Sequence, residues 1–184
     1  MRVKNYFFLI IALGISGCGD MYSDSEDLYD FNGNPANSAP AANFRIDYIQ
    51  RSFSGRNLNR CQMTGSNNGL GVLEIGFQDD ESDSELRITL AGFYPQNEQH
   101  QIRGAGRNSG GEVYLKSGGD QRLNSFRNQS ANGRGSSTQC NFRVKVQGNF
   151  VLAAFQCNNL FNDYGQPRNA SGEIRCRTEQ YTWE

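Results

Sequence analysis

Histidine occurs once in the 184 residues, tryptophan once and proline four times. The single imidazole, His100 in the polar run PQNEQHQIR, leaves little room for Ser–His or Cys–His catalysis, which needs a base within hydrogen-bond reach of the nucleophile. No nucleophile-elbow motif surrounds a serine. Cys-x-x-Cys is absent, whereas structural zinc uses closely spaced thiolate and imidazole ligands. The acidic run DDESDSE lacks the glycine and the ligand spacing of an EF-hand loop. No pair of carboxylates stands out for glycosidic chemistry. The expectation is therefore no catalytic residues, no metal and no cofactor. Helix-period apolar patterns are missing, and so is any apolar run of the roughly 20 residues that a membrane-spanning helix needs.

What is present begins at the N-terminus. Arg2 and Lys4 precede an apolar stretch from Tyr6 to Ile15, about ten residues long. A helix of that length rises roughly 15 Å, half of a bilayer core. A charged start, a short apolar middle and small residues at the end describe a secretory signal peptide. The end of the run, Ile15-Ser16-Gly17-Cys18, resembles the lipobox of bacterial lipoproteins. That resemblance implies cleavage before Cys18, acylation of its thiol and amine, and a membrane anchor. Two or three acyl chains hold a protein stably where one holds it marginally. Gly19 rather than Asp follows the cysteine, which by the same resemblance favours the outer membrane. The expected division is signal peptide 1–17, lipidated cysteine and tether 18–42, and one domain 43–184.

The tether carries five acids, Asp20, Asp24, Glu26, Asp27 and Asp30, and no base. Its Asn, Pro, Ala and Ser content cannot bury enough apolar surface to offset ordering entropy. It would reach roughly 25 Å as a flexible coil. The domain holds sixteen Lys and Arg against fourteen Asp and Glu, so its own net charge is +2.

Alternation of apolar and polar residues marks the domain as all-β. It runs through Phe44-Ile46-Tyr48, Leu73-Ile75-Phe77, Leu86-Ile88-Leu90, Val113-Leu115, Phe142-Val144-Val146, Val151-Ala153-Phe155 and Ile174-Cys176. One apolar and one polar face per strand is the pattern of antiparallel sheets. The expected fold is an antiparallel β-sandwich of about eight strands with long polar loops, and a small β-barrel is the alternative. One hairpin turns at Asp79–Ser84, another at Gly148-Asn149, a two-residue turn pair.

Five cysteines are an odd number. Lipidation of Cys18 leaves Cys61, Cys140, Cys157 and Cys176 for two disulfides, in keeping with an exported chain. Cys140 and Cys157 sit at opposite positions of one hairpin. Direct cross-strand bridging is awkward, so the expected pairs are Cys61–Cys140 and Cys157–Cys176. The stretch FQCNNLFNDYGQPRNASGEIRC resembles the C-terminal hairpin of small secreted bacterial lipoprotein antigens, which also implies a disulfide there.

Residues 104–138 are rich in Gly, Ser, Asn and Arg, with Leu123 and Phe126 as apolar anchors in the long loop 118–138. From Arg103 to Lys145 eight bases face only Glu112 and Asp120. Arg103, Arg107, Arg122, Arg127 and Arg134 are the candidate polyanion-binding residues, for an anionic envelope polymer or lipid. No RNA- or DNA-binding signature accompanies them, so nucleic acid is not an expected partner. The functional expectation is a lipid-anchored, non-catalytic binding or structural module of the cell envelope. A barrel carrying a small apolar ligand is the alternative.

Overall fold

A computed structural model describes residues 39–65, 70–104, 110–128 and 137–178, with the backbone of 181–182. Cys18, the tether up to residue 38, Arg107 and Arg134 lie outside them.

The described residues form an all-β fold. The strands are β1 (Ala41–Ile46), β2 (Ile49–Ser54), β3 (Leu58–Thr64), β4 (Gly71–Asp79), β5 (Ser84–Phe93) and β6 (Gln99–Arg103). They continue as β7 (Gly111–Ser117), β8 (Ser125–Arg127), β9 (Gln139–Gln147), β10 (Phe150–Phe161), β11 (Pro167–Arg177) and β12 (Tyr181–Thr182). A single helical turn, α1 (Gln121–Asn124), precedes β8. The ladder runs β12-β3-β4-β5-β7-β8-β10-β11-β1-β2, and β9 and β6 branch from β10. All the pairings are antiparallel except β12 against β3.

The antiparallel all-β expectation thus describes the domain, in its barrel-like form: one sheet, nearly closed. Two half-sheets, β3-β4-β5-β7-β8 and β6-β9-β10-β11-β1-β2, meet at Phe161 opposite Arg127. The other junction is a corner. β2 and β3 are neighbours in the chain, separated by a 3-10 turn at Gly55–Asn57, yet they stand near opposite ends of the ladder. Side chains bridge that seam. Phe53 of β2 meets Phe77 of β4 at 5.9 Å between ring centroids. Arg51 Nε donates to Ser84 Oγ at 3.1 Å and to the Ser117 carbonyl at 2.9 Å.

The interior is one apolar cluster drawn from both halves, including Phe44, Leu73, Phe77, Leu86, Ile88, Leu115, Val144 and Leu160. Inward residues alternate with polar outward ones, as the sequence pattern dictates. β11 shows how tightly neighbouring strands pack. An added Cβ at Gly172 would lie 2.6 Å from a ring carbon of Phe155, its cross-strand neighbour, and 2.4 Å from the Asn43 carbonyl oxygen. The aromatic ring occupies the space that a side chain would need. Gly172→Ala is expected to destabilise the fold by about 3 kcal/mol through overpacking, read as a fall in thermal midpoint. A midpoint within 2 °C of the parent would contradict this packing.

Four sequence expectations need correction. First, the disulfides are Cys61–Cys176, with a Cα separation of 6.2 Å, and Cys140–Cys157, at 4.0 Å. Cys140 and Cys157 are direct partners in the β9–β10 ladder, and both side chains face inward. Such opposite residues stand close in the non-hydrogen-bonded type of pair, so the thiols meet without leaving the hairpin. Cys61 and Cys176 lie on β3 and β11, which are not ladder neighbours but face each other across the core. Second, Tyr48 does not extend the strand of Phe44 and Ile46. Asp47 adopts φ 52°, and the chain reverses there into β2. Tyr48 is 87% exposed. Third, His100, whose polar run PQNEQHQIR reads as a solvated loop, lies in strand β6. Fourth, of the two loop anchors only Phe126 enters the core, opposite Leu115, while Leu123 is exposed.

Candidate functional basic face

The outward residues of the half-sheet β6-β9-β10-β11-β1-β2 are mostly amides, hydroxyls and cations. Ladder register aligns them in rows across the strands. One row reads Gln101, Asn141, Gln156, Ser171, Arg45 and Gln50. At about 4.8 Å between strands, these six positions extend over roughly 24 Å. A second row reads Gln99, Arg143, Ala154, Glu173, Asn43 and Ser52, and a third Lys145, Leu152, Arg175, Ala41 and Ser54. Arg177 sits beyond the third row, beside Phe150. The strands' two-residue period sends each of these side chains outward while Cys140, Phe142, Val144, Ile174 and Cys176 point in.

Two large apolar residues lie on this outer face, at the start of β10. Phe150 is 5% exposed and Leu152 8%. Arg177 lies over the Phe150 ring at 4.6 Å, and Leu152 stands between Lys145 and Arg175 in its row. Long basic side chains cover apolar surface with their stems and keep their charge in water. Phe150 thus carries the Arg177 guanidinium above it.

Three of the cations on this face are satisfied by neutral groups. Arg45 Nε donates to the Asp47 carbonyl at 2.6 Å, Arg175 Nε to the Ala39 carbonyl at 3.0 Å, and Arg103 Nε to Gln101 Oε1 at 2.7 Å. Gln101 in turn donates to Asn141 Oδ1 at 2.7 Å. Two carboxylates temper the layer. Glu98 approaches Arg143 at 3.7 Å. Glu173 is held above the usual glutamate range by burial, partly offset by a hydrogen bond with Asn43.

The sequence-derived arginines do not assemble into one patch. Arg103 belongs to this face. Arg127, on β8, is paired with Asp163 at 3.0 Å and lies 5.6 Å from the Tyr114 ring centroid, which Arg87 also covers at 4.5 Å. Arg122 is exposed in α1, beside the β10–β11 turn, where its carbonyl accepts from Asp163 N. Lys116, from the same basic run, is salt-bridged to Asp83 on the opposite half-sheet, and that hydrogen bond raises its pKa. Arg45, Arg175 and Arg177 were missed. The signal that finds them is the outward position of each base within its alternating strand, rather than its density along the chain.

The remaining chemistry is accounted for locally. In the acidic hairpin, Asp79 accepts from Glu81 N at 3.2 Å and from the Ser82 hydroxyl at 2.6 Å, and Asp80 accepts from Gln78 at 2.7 Å. Its carboxylates shape the turn. No group of three metal-ligating side chains occurs among the described residues. His100 lies against Phe93 in a tilted ring pair at 4.8 Å and contacts the Asn97 carbonyl at 2.8 Å, and burial lowers its pKa. The opposite half-sheet bears a shallow groove of about 500 Å³ lined by Asn59, Arg60, Glu74, Glu85, Arg87 and Glu112. Two ion pairs, Arg60–Glu74 at 3.1 Å and Arg87–Glu85 at 2.8 Å, balance charge within it. Comparison of the chain with family models, curated proteins and solved structures returns no match.

Proposed function

We propose that this chain is a cell-envelope lipoprotein: a non-catalytic binding or structural module held at the membrane, the outer membrane in a two-membrane envelope, by acylated Cys18. The observation that carries the reading is the cysteine balance. Four of the five cysteines pair within the domain, and Cys18, behind its lipobox-like sequence, is the one left over. Buried disulfides also accord with an oxidising compartment. The amide and guanidinium face supplies a surface for binding, and the filled interior favours this reading over the apolar-ligand carrier.

The test is fractionation of cells expressing the parent and Cys18→Ser. The parent is expected in the membrane fraction, with a mature mass starting at Cys18 plus acyl chains. The variant is expected to leave that fraction almost completely, because the short apolar segment cannot span a bilayer by itself. Retention of Cys18→Ser in membranes, or a parent mass without acyl adducts, would sink the proposal.

A further inference from the structure

From the outer face of β6-β9-β10-β11-β1-β2 we infer that this domain binds an acidic polysaccharide laid across its strands. The inference deepens the envelope reading by naming the class of partner. It depends on that reading only for where the polymer is met, because the binding itself is a property of the folded face.

Three observations carry it. The first is charge. Arg45, Arg103, Arg143, Lys145, Arg175 and Arg177 project from four strands of one half-sheet; among the described residues Glu98 pairs with Arg143, Glu173 lies in the Arg143 row, and Asp47, beside Arg45, is paired with Arg168. Neutral carbonyl and amide oxygens satisfy Arg45, Arg103 and Arg175, so their charge stays available to an anion. The second is the company these cations keep. Gln101, Asn141, Gln156 and Ser171 continue the row of Arg45. Side-chain amides and hydroxyls donate and accept, as recognition of sugar hydroxyls requires, while guanidinium groups suit carboxylates and phosphates. The third is what the face withholds. Phe150 and Leu152 are covered, so among the described residues of the face no large apolar side chain is offered to a lipid bilayer and no open ring to a stacked base. The exposed large apolar residues of the described chain lie off the strands: Tyr48 and Tyr164 in turns, Leu70 in a loop and Leu123 in α1.

A polymer also fits the shape. The face is an open sheet surface with charges separated by about 7 Å along a strand and about 10 Å across two strand spacings. A small anion would meet one or two cations there. A chain of repeating anionic sugars would meet several at once, and its affinity would come from their number.

The experiment uses the full chain, purified in detergent, with polygalacturonate and a phosphomannan as acidic probes and dextran as the neutral control. Binding is read by calorimetry at low and high salt. The expected result is binding of at least one acidic polymer, weakened as salt rises, with none to dextran. Lys145→Gln/Arg175→Gln is expected to weaken it at least tenfold. Arg56→Gln/Arg122→Gln, which removes the same charge elsewhere, should change it less than twofold. Arg175 also holds the Ala39 carbonyl, so Arg45→Gln serves as a second variant, with a threefold loss expected at an unchanged thermal midpoint. Failure to bind either acidic polymer would overturn the inference. So would equal losses in the two double variants, or tighter binding to phosphatidylglycerol vesicles than to polymer. Membrane release of Cys18→Ser is scored separately, so either reading can fail alone.

Discussion

Replacing Cys61 and Cys176 together by alanine is expected to cost the folded domain about 5 kcal/mol. The bridge spans 115 residues, and a loop of that size constrains the unfolded chain by nearly that amount in the chain-entropy account. Stabilities of whole domains are about 5–15 kcal/mol, so the variant should be marginal at best. For a domain of this size the thermal midpoint should fall by about 10–20 °C. The location of the bridge reinforces the effect. Between β2 and β3 no ladder pairing exists among the described residues, so closure there depends on side chains. The Cys61–Cys176 bond, the Phe53–Phe77 contact and the hydrogen bonds of Arg51 hold the two half-sheets together. Removing Cys140 and Cys157 instead should cost about 3 kcal/mol, because their separation is only 17 residues and the β9–β10 ladder already joins them. Urea unfolding of the two double variants checks the order. A larger loss for the Cys140–Cys157 pair would mean that the seam is held by something other than the long bridge.

Asn128→Ala is expected to cost about 3–4 kcal/mol, the second largest effect. Asn128 has no exposed surface. Its Oδ1 accepts from Val113 N at 3.0 Å, and its Nδ2 donates to the carbonyls of Gly104 at 3.3 Å and Gly111 at 3.1 Å. One side chain, carried just past the end of β8, thus ties the end of β6 to the start of β7. Alanine would remove all three of these hydrogen bonds, and each buried group left unsatisfied costs about 1–3 kcal/mol. Asn128→Asp separates the polar contribution from the packing one. An aspartate keeps the acceptor for Val113 N but turns a carboxylate toward two carbonyl oxygens. It should be at least as destabilising as alanine at pH 7 and recover partly at pH 4, where a protonated carboxyl can donate. The sign follows from linkage: an acid whose pKa is raised in the folded state destabilises that state as pH rises through the shifted value. An Asn128→Ala variant within 0.5 kcal/mol of the parent, measured by chemical denaturation, would refute the role of this residue.

The long strands were readable because burial on one face imposes a period of two. Leu73-Ile75-Phe77 and Leu86-Ile88-Leu90 all proved inward and buried, and Gly148 takes the positive φ that its two-residue turn requires. The Asp47–Tyr48 turn was hidden because the exposed Tyr48 happens to continue the alternation of Ile46. β6 and β8 were hidden because each sets a single fully apolar residue, Ile102 and Phe126, into the core among polar neighbours. The order Asn162-Asp163-Tyr164-Gly165-Gln166 gave no notice that the buried Asn162 would accept from Tyr164 N and Gln166 N and donate to the Leu123 carbonyl, tying the β10–β11 turn to α1.

By itself the sequence determined the all-β class and the inward residues of the long alternating strands, since each is a local pattern of neighbouring side chains. Only the tertiary structure decided the disulfide partners, the closure at the β2–β3 corner and the membership of the basic face. These depend on which strands lie side by side, and ladder order is set by nonlocal pairing that no single stretch of chain encodes. Arg45 and Arg175 are 130 positions apart, yet β1 and β11 are adjacent strands. Arg122 and Arg127 are close in the chain, but one stands in a helical turn and the other is neutralised by Asp163.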